Sequence, residues 1–360
     1  MKFSKVSSNV FLIAALIWSG CAKPVPPVGN SASAPDTNTG LVLDPLSEGD
    51  AFSQQGDTDT AIRHYSEAIR ANPARAEAYV RRGDAYSQKG ALDQALADYN
   101  QALRLKPQSA EVYLTRGLVH QASGRWEQAL ADVNEAIRRD PGFVAAYSYR
   151  AAMYIRRQEY QQAISDCDVA LRLKPEFAAA YNNRGIAYRG LGQMEQAIAD
   201  YGRAIDLNKM FADAYQNRGE ALGSQGQLEQ GIDDLSAAIH LTPGLTEAYE
   251  NRGVLYYKRG KVDAAIADFT EAIQQTLKLA ASGKGAFGPE QKLANLYVKR
   301  AVATVLQGQL DAALADCNEA LRRNPLEATA YRARAEIYRR QGDPAKAEAD
   351  LGRADALGQP

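Results

Sequence analysis

Residues 76–109 read AEAYVRRGDAYSQKGALDQALADYNQALRLKPQS. Tyr79, Gly83 and Tyr86 are spaced by four and three positions, which places them on one face of a helix. Gly90 follows, and glycine often ends a helix because it adopts the left-handed conformation without strain. The first half of this stretch therefore predicts an amphipathic helix that ends at Gly90.

The second half of the stretch predicts another helix, which begins near Asp93 and is stopped by Pro107. Its apolar face is formed by Ala95, Leu96, Tyr99, Ala102 and Leu103. Small and large residues alternate on both helices, so two antiparallel helices can approach each other closely. The whole stretch is thus predicted to form one helix–turn–helix unit.

The pattern returns every 34 residues. A proline recurs at Pro73, Pro107, Pro141, Pro175 and Pro243, with Lys209 at the one skipped position. A tyrosine keeps the same step from Tyr79 to Tyr249, and then reappears at Tyr297 and Tyr331 after 14 additional residues. A fixed period of this length indicates a stack of identical supersecondary units. Such a stack forms an extended surface rather than a deep catalytic pocket.

The motif Y-x-x-R-G-x-x-Y-x-x-x-G, present here from residue 79 to residue 90, resembles the tetratricopeptide repeat. Nine copies run through residues 45–357, with starts near residues 42, 76, 110, 144, 178, 212, 246, 294 and 328. The first copy is degenerate, since Pro45 takes the tyrosine position. The resemblance implies an all-α fold, a right-handed superhelical solenoid in which the first helix of each repeat lines the concave side.

The 14-residue insertion falls between repeats seven and eight, around residues 277–290. An apolar stripe continues into it through Ile266, Phe269, Ile273, Leu277 and Ala280. The second helix of repeat seven is therefore predicted to be longer than the others. A glycine-rich stretch from Gly283 to Gly288 then breaks the helix, and Pro289 suits the first turn of the next one.

The first 20 residues are predicted to be a signal peptide. Lys2 and Lys5 precede an apolar run from Val10 to Trp18, which is too short to span a bilayer. The following Ser-Gly-Cys resembles a bacterial lipobox, although Trp18 stands where that motif usually has leucine. The resemblance implies that Cys21 is lipidated and becomes the mature N-terminus. Ordinary cleavage, which would give a soluble secreted protein, is the alternative.

Residues 21–44 are predicted to be a lipidated N-terminus followed by a disordered linker. This segment is rich in Pro, Ser, Ala, Thr and Gly, and it cannot bury enough apolar surface to order itself. Several acyl chains on Cys21 would make a stable membrane anchor. Ala22 follows the cysteine, and by resemblance to enterobacterial sorting we expect an outer-membrane lipoprotein of the bacterial envelope that faces the periplasm.

Composition argues against several classes of function. The formal net charge is −1, so no large field favours nucleic acid, and no nucleic-acid partner is expected. The three histidines, His64, His120 and His240, belong to different repeats, which predicts no metal site. Neither a catalytic triad nor a carboxylate pair stands outside the repeat pattern, so we expect no enzyme activity and no cofactor. Cys167 and Cys317 share a core position of the repeat.

Eight repeats carry an arginine in the first helix and an aspartate in the second. In repeat one both change together, to Glu48 and His64. This joint change predicts a partly buried structural ion pair within each repeat. Examples are Arg82 with Asp98, Arg184 with Asp200, and Arg218 with Asp234.

One candidate peptide-binding site is a row of asparagines. Asn183, Asn217 and Asn251 occupy the same position in three consecutive repeats. Their polar neighbours are Asn182, Gln216 and Glu250. Each asparagine offers a donor and an acceptor, so the row can bind an extended backbone. The row resembles the asparagine ladder of O-GlcNAc transferase and the clamp of chaperone co-factors. The alternative is that these asparagines are simply solvated.

A second candidate site is an apolar patch with a basic rim, further along the same face. The predicted partner patch comprises Tyr257, Lys258, Val298, Val302, Val305 and Arg339, with Leu306, Arg332 and Arg340 beside them. Its apolar residues either receive a partner or pack against the insertion.

These observations favour a non-enzymatic, membrane-anchored scaffold that binds proteins or extended peptides in its concave groove and assembles or regulates an envelope complex. Two more specific roles remain open: a pilotin-like assembly factor for a secretion or pilus system, and an adaptor that recruits cell-wall enzymes. A structural spacer on the cell surface is an alternative of a different class. The pattern does not indicate an oligomeric state.

Overall fold

The computed structural model describes residues 44–282 and 288–358, and every regular element in those residues is an α-helix. The chain divides into two compact units, one up to Pro175 and one from Glu176. The all-α class and the helix–turn–helix repeat predicted from the sequence are confirmed. No described helix is both long and apolar enough to cross a bilayer.

The first unit contains four helix pairs in its described part. Their bounds are α1 (Pro45–Gln54), α2 (Thr58–Ala71), α3 (Ala76–Gln88), α4 (Leu92–Leu105), α5 (Ala110–Ala122), α6 (Trp126–Arg139), α7 (Val144–Arg156) and α8 (Tyr160–Leu173). In each pair the two helices pack against each other through their apolar faces.

The second unit contains five helix pairs in its described part. Their bounds are α9 (Ala178–Gly190), α10 (Met194–Leu207), α11 (Ala212–Ser224), α12 (Leu228–Leu241), α13 (Thr246–Lys258), α14 (Val262–Ala281), α15 (Pro289–Leu306), α16 (Leu310–Arg323), α17 (Ala328–Arg340) and α18 (Pro344–Gly358).

The turn inside each pair requires a left-handed residue. In repeat two Gly90 has a φ of 76°, and the N–H of the next residue, Ala91, donates to the carbonyl oxygen of Tyr86 at 2.9 Å. This bond closes the end of α3 because it satisfies a carbonyl that has no partner within the helix. Repeat four places Gln158 at the same position with a φ of 62°, in a conformation that strains a residue with a β-carbon.

The close approach of the two helices depends on a small residue in the first helix. A β-carbon added to Gly83 in α3 would lie 2.9 Å from Cε1 of Tyr99 in α4, closer than side chains normally come. Tyr99 is completely buried. The glycine therefore makes room for the tyrosine ring, and this ring forms the centre of the repeat core.

The insertion lengthens both helices that flank it, whereas the apolar stripe predicts this only for α14. Helix α14 has 20 residues and α15 has 18, whereas the second helix of repeat six has 14. Leu293 and Leu296 of α15 are completely buried and pack with Ile273 of α14. Residues 283–287, the glycine-rich break, lie outside the described part of the chain.

Candidate functional site

The arginine and aspartate of each repeat form a two-bond ion pair. Arg82 donates from Nε to Oδ2 of Asp98 at 2.8 Å and from Nη2 to Oδ1 at 2.7 Å. The same geometry recurs in Arg116–Asp132, Arg150–Asp166, Arg184–Asp200, Arg218–Asp234, Arg252–Asp268, Arg300–Asp316 and Arg334–Asp350. The pairing within a repeat that the sequence predicts is present at all eight places.

Aromatic rings cover the guanidinium of this pair. In repeat two Cζ of Arg82 lies 5.9 Å from the ring centroids of both Tyr79 and Tyr86, which is within cation–π range. The bonds to Asp98 raise the pKa of Arg82, and burial opposes that rise. The guanidinium is thus held as a cation between two rings and a carboxylate. Its role is structural, because a ligand could not reach it without breaking the pair.

The remaining guanidinium nitrogen of the arginine, Nη1, links consecutive repeats. The sequence analysis did not predict this contact. Nη1 of Arg82 donates to Oγ of Ser66 in the preceding repeat at 3.0 Å. Equivalent bonds join Arg116 to Asn100, Arg150 to Asn134, Arg252 to Ser236, Arg300 to Thr270, and Arg334 to Asn318. The recurrence of Ser, Thr or Asn at one position of the second helix was the signal that could have revealed it.

Repeat one replaces this ion pair by a contact between a histidine and a glutamate. Nδ1 of His64 lies 3.1 Å from the carboxylate of Glu48, and the ring of Phe52 stacks on the imidazole with centroids 5.2 Å apart. The histidine and the glutamate thus occupy the places of the aspartate and the arginine. They belong to the helix packing of repeat one.

The row of asparagines is asymmetric. Nδ2 of Asn217 in α11 donates to Oδ1 of Asn182 in α9 at 2.9 Å, and Asn182 is only 6% exposed. Asn183, the residue equivalent to Asn217 in repeat five, is half-buried. This hydrogen bond therefore joins Asn217, one of the three equivalent asparagines, to Asn182, one of their polar neighbours. It uses part of the hydrogen-bonding capacity of the row.

Two amides of this surface have unused hydrogen-bonding groups. The carbonyl oxygen of Gln216 in α11 is buried and has no hydrogen-bond donor in the described structure. The side chain of Asn251 in α13 makes no hydrogen bond to another described residue. Glu250, in contrast, accepts from Nζ of Lys299 at 2.5 Å. The side chains with unsatisfied hydrogen-bonding groups thus lie on the first helices of repeats six and seven.

The apolar patch contains a pocket of about 160 Å³ between repeats seven and eight. Val254, Tyr257, Phe269, Val298, Lys299 and Val302 line it. Of the predicted patch residues, Tyr257, Val298 and Val302 thus share one cavity. Lys258 and Arg339 are exposed on the surface.

Val305, the other valine of the predicted patch, does not line this cavity. Its side chain is 7% exposed and packs in a core cluster with Cys317 and Ile337. Val305 lies in the last turn of α15 and faces the following helices, since Cys317 belongs to α16 and Ile337 to α17.

The predicted lipidation site, Cys21, lies outside the described residues, as do the signal peptide of residues 1–20 and most of the linker of residues 21–44. Within the described ranges, no three side chains of His, Cys, Asp or Glu are grouped so that they could hold a metal ion.

Two family models match the chain. One, described as TPR repeat, matches residues 49–90, 83–124 and 187–226. The other, described as Tetratricopeptide repeat, matches residues 114–176, 217–280 and 299–359, which is more than half of the chain. No curated protein matches the sequence.

Several solved structures are similar in fold. A tetratricopeptide repeat protein from Parabacteroides merdae is 21% identical, with a TM-score of 0.54 over 64% of this chain and 91% of that chain. The APC/C hetero-tetramer Cut9–Hcn1 is 18% identical, with a TM-score of 0.56 over 83% of this chain and 57% of that chain. The human IFIT1 dimer with m7Gppp-AAAA is 15% identical, with a TM-score of 0.53 over 88% and 72%.

At these identities the likeness to solved structures concerns the fold alone, whereas the family models match the sequence itself. The chain belongs to the tetratricopeptide repeat family, whose members are generally non-enzymatic scaffolds for protein and peptide interaction.

Proposed function

We propose that this protein is a membrane-anchored scaffold of the bacterial envelope that binds extended peptide segments along the first helices of its repeats and so assembles or regulates an envelope complex. One observation carries the proposal: Gln216 and Asn251, on successive first helices, hold hydrogen-bonding groups that no described residue satisfies. Asn251 is only half-buried, so its amide can both donate to and accept from the backbone of a ligand.

An extended peptide fits this surface because its backbone exposes both N–H and C=O groups. The side chains of Asn and Gln carry a donor and an acceptor, so they can bind such a backbone whatever its side chains are. Each bond contributes only about 0.5–1.5 kcal/mol net. Appreciable affinity therefore requires several hydrogen bonds to the peptide backbone. The three equivalent asparagines, Asn183, Asn217 and Asn251, are proposed to make them.

The test begins with affinity capture from envelope extract and identification of the captured proteins by mass spectrometry. Synthetic peptides from the captured partner are then titrated by calorimetry. Replacement of Asn183, Asn217 and Asn251 by alanine together is expected to weaken binding ten-fold or more, whereas a single replacement changes it little. Unchanged affinity in the triple variant would refute the proposed groove.

A matched control is available on the second helices. Gln162, Gln196 and Gln230 occupy one position in repeats four to six, and their amides are exposed. Their triple replacement by alanine removes three amides from a different side of the repeats. We expect this control to keep the wild-type affinity, because these side chains lie away from the first helices.

The membrane anchor is tested separately. Mass spectrometry of the mature N-terminal peptide is expected to show acyl chains on Cys21, and the protein is expected in the membrane fraction. Cys21→Ala removes the acceptor, so this variant should be neither acylated nor retained with membranes by a lipid. An unmodified Cys21, or cleavage at another bond, would contradict the lipid anchor. It would not affect the proposal that the first helices bind peptides. Protease treatment of intact cells distinguishes a periplasmic from a surface location.

A further inference from the structure

We propose that the junction between repeats five and six is a hinge of the second unit. The junction consists of α10, the turn of residues 208–211 and α11. At this hinge repeat six separates from repeat five more readily than repeat three separates from repeat two. Two connections that lie across other junctions are missing here, and a buried group beside it has no partner. The hinge depends only on the packing of the repeats, so it exists whether or not the first helices bind a peptide.

The hydrogen bond from the arginine to the preceding repeat is missing at this junction. Nε and Nη2 of Arg218 bind Asp234 within repeat six. Nη1 lies 3.5 Å from the place of a β-carbon on Gly202 of α10, which has no side chain to accept from it. At the junction of repeats two and three, in contrast, Nη1 of Arg116 donates to Oδ1 of Asn100 at 2.7 Å. Helices α10 and α11 therefore lack a polar link between repeats.

The turn of this junction also lacks its proline. Lys209 stands where Pro107 follows α4 and Pro243 follows α12. Proline fixes φ and so restrains the turn, whereas lysine leaves it more freedom. The backbone is nevertheless compatible with proline, since Asn208 is extended, with a φ of −142° and a ψ of 96°. The N–H of Lys209 makes no hydrogen bond in the described structure, so a proline here would remove none.

A buried hydroxyl group beside the junction has no hydrogen-bond partner. Tyr201 of α10 is completely buried and packs with Ala221 of α11, and no described residue binds its hydroxyl group. The equivalent Tyr99 donates to Asp84 at 2.7 Å, but repeat five has Ile186 at the position of this aspartate. An unsatisfied buried hydroxyl destabilises the closed junction relative to an open one, in which water can bind it.

The helices next to the junction contain glycine at positions where repeat two has residues with a β-carbon. These glycines are Gly202 in α10, Gly223 in α11 and Gly231 in α12. Glycine inside a helix lowers its stability, because it loses more backbone freedom on folding. The stability of a solenoid is approximately the sum of the stabilities of its repeats and of their interfaces. Weak helices and a weak interface at one place therefore favour local opening there.

Apolar packing and one hydrogen bond keep the closed form the more stable one. Ile205 of α10 is 3% exposed and packs with Phe211 of the turn. Asn217 of α11 donates to Asn182 of α9 across the junction. Opening of the hinge therefore exposes Ile205 and separates Asn217 from Asn182. The hinge thus crosses the row of asparagines on the first helices, and its closure aligns them.

Labelling of a single introduced thiol under native conditions measures the opening. The background is the full chain without its own cysteines, with the substitutions Cys21→Ala, Cys167→Val and Cys317→Val. Valine suits the two buried positions, because repeat three already has Val133 there. The reagent is 5,5′-dithiobis(2-nitrobenzoate), which reacts with a buried thiol only when the protein opens. Each rate is divided by the rate of the same variant unfolded in urea.

Ile205→Cys places the thiol at the hinge, and Leu103→Cys is the matched control. Leu103 occupies the equivalent position in repeat two and is also buried. We expect the hinge thiol to react at least about ten-fold faster than the control thiol. Its rate should depend only weakly on urea, because local opening exposes less surface than global unfolding. Ala204→Cys and Ala102→Cys repeat the comparison without removing a large side chain.

Reciprocal substitutions test the physical cause of the opening. Gly202→Ser with Lys209→Pro supplies the missing hydrogen bond and the missing proline, and should slow the labelling of the hinge thiol at least about ten-fold. Asn100→Gly with Pro107→Lys removes both connections from the junction of repeats two and three, and should speed the labelling of the control thiol by a similar factor. Circular dichroism verifies that all variants are folded.

The hinge is overturned if its thiol reacts no faster than the control thiol, or if its rate rises with urea as steeply as global unfolding does. It is also overturned if either pair of reciprocal substitutions leaves the labelling rate at its own junction unchanged. The proposed function fails in a different way, through unchanged binding of the captured partner by the asparagine triple variant. Thiol labelling involves no ligand, so the two failures are distinguishable.

Discussion

Nη1 of Arg218 lies 3.5 Å from the point at which Gly202 would carry a β-carbon, and no side chain occupies that place. Six other arginines donate from this nitrogen to Ser, Thr or Asn of the preceding repeat. Repeats five and six are therefore joined without this bond. The same junction carries Lys209 where the turn usually has proline.

Gly202→Ser is expected to restore the missing bond. The serine hydroxyl can accept from Arg218 as Ser66 does from Arg82. The new hydrogen bond and the better helix propensity of serine should together raise the free energy of unfolding by about 1–2 kcal/mol. Urea unfolding followed by circular dichroism measures the change.

Gly352→Ser provides the control for this substitution. Gly352 is the equivalent residue of repeat nine, and a β-carbon there would meet nothing within 4 Å. The Gly352→Ser variant should gain only about 0.5 kcal/mol in the free energy of unfolding, from helix propensity alone. If the two variants gained the same stability, Arg218 would make no bond to the new serine.

Breaking a buried ion pair should destabilise the fold strongly. Asp200→Ala leaves the partly buried guanidinium of Arg184 without its carboxylate, and we expect a loss of about 3 kcal/mol in the free energy of unfolding. Asp206→Ala in the same helix removes an exposed pair with Lys209 and should change stability little. Equal effects of the two substitutions in thermal unfolding would contradict a structural role for the buried pair.

The strained turn of repeat four should be relieved by glycine. Gln158 has a φ of 62°, whereas the other repeats place glycine at this turn. Gln158→Gly is expected to raise the free energy of unfolding by about 1 kcal/mol, because a β-carbon is unfavourable in the left-handed region. The reciprocal Gly124→Gln in repeat three should lower it by a similar amount. Differential scanning calorimetry of both variants measures their melting temperatures. Melting temperatures that shift in the same direction would contradict strain at Gln158.

Asp84 should make stability depend on pH. Burial raises the pKa of Asp84 to about 6, while its carboxylate accepts from the hydroxyl of Tyr99 at 2.7 Å. Because the folded-state pKa lies above the unfolded value, the folded protein binds more protons between about pH 4 and pH 6. Stability from this group is therefore present at low pH and is lost as the pH rises through that window, with a slope of at most about 1.4 kcal/mol per pH unit.

Asp84→Asn keeps an acceptor for Tyr99 and removes the charge. We expect the variant to be more stable than the wild type at pH 7 and to lose this advantage at pH 4. The difference between the two free energies of unfolding, measured in urea at each pH, isolates Asp84 from the other carboxyl groups. A difference that does not change with pH would contradict the raised pKa.

Much of the architecture could be read from the period of the sequence. Glycine and proline indicate where the helices end, because one relaxes and the other restricts the backbone. The joint change at Glu48 and His64 pointed to the pairing of Arg82 with Asp98, since two positions that change together in one repeat suggest contact in the others. These features depend on position within one repeat, and a repeated pattern displays that position many times.

Contacts between repeats were decided only by the tertiary structure. The bond from Asn217 to Asn182, the burial of Val305 and the cavity beside Val302 depend on how neighbouring helices are rotated and how far apart they lie. A 34-residue pattern states which residue occupies each position, but it does not state the angle between successive units. The pocket lies between repeats seven and eight, the one junction at which the sequence inserts 14 residues into the regular pattern.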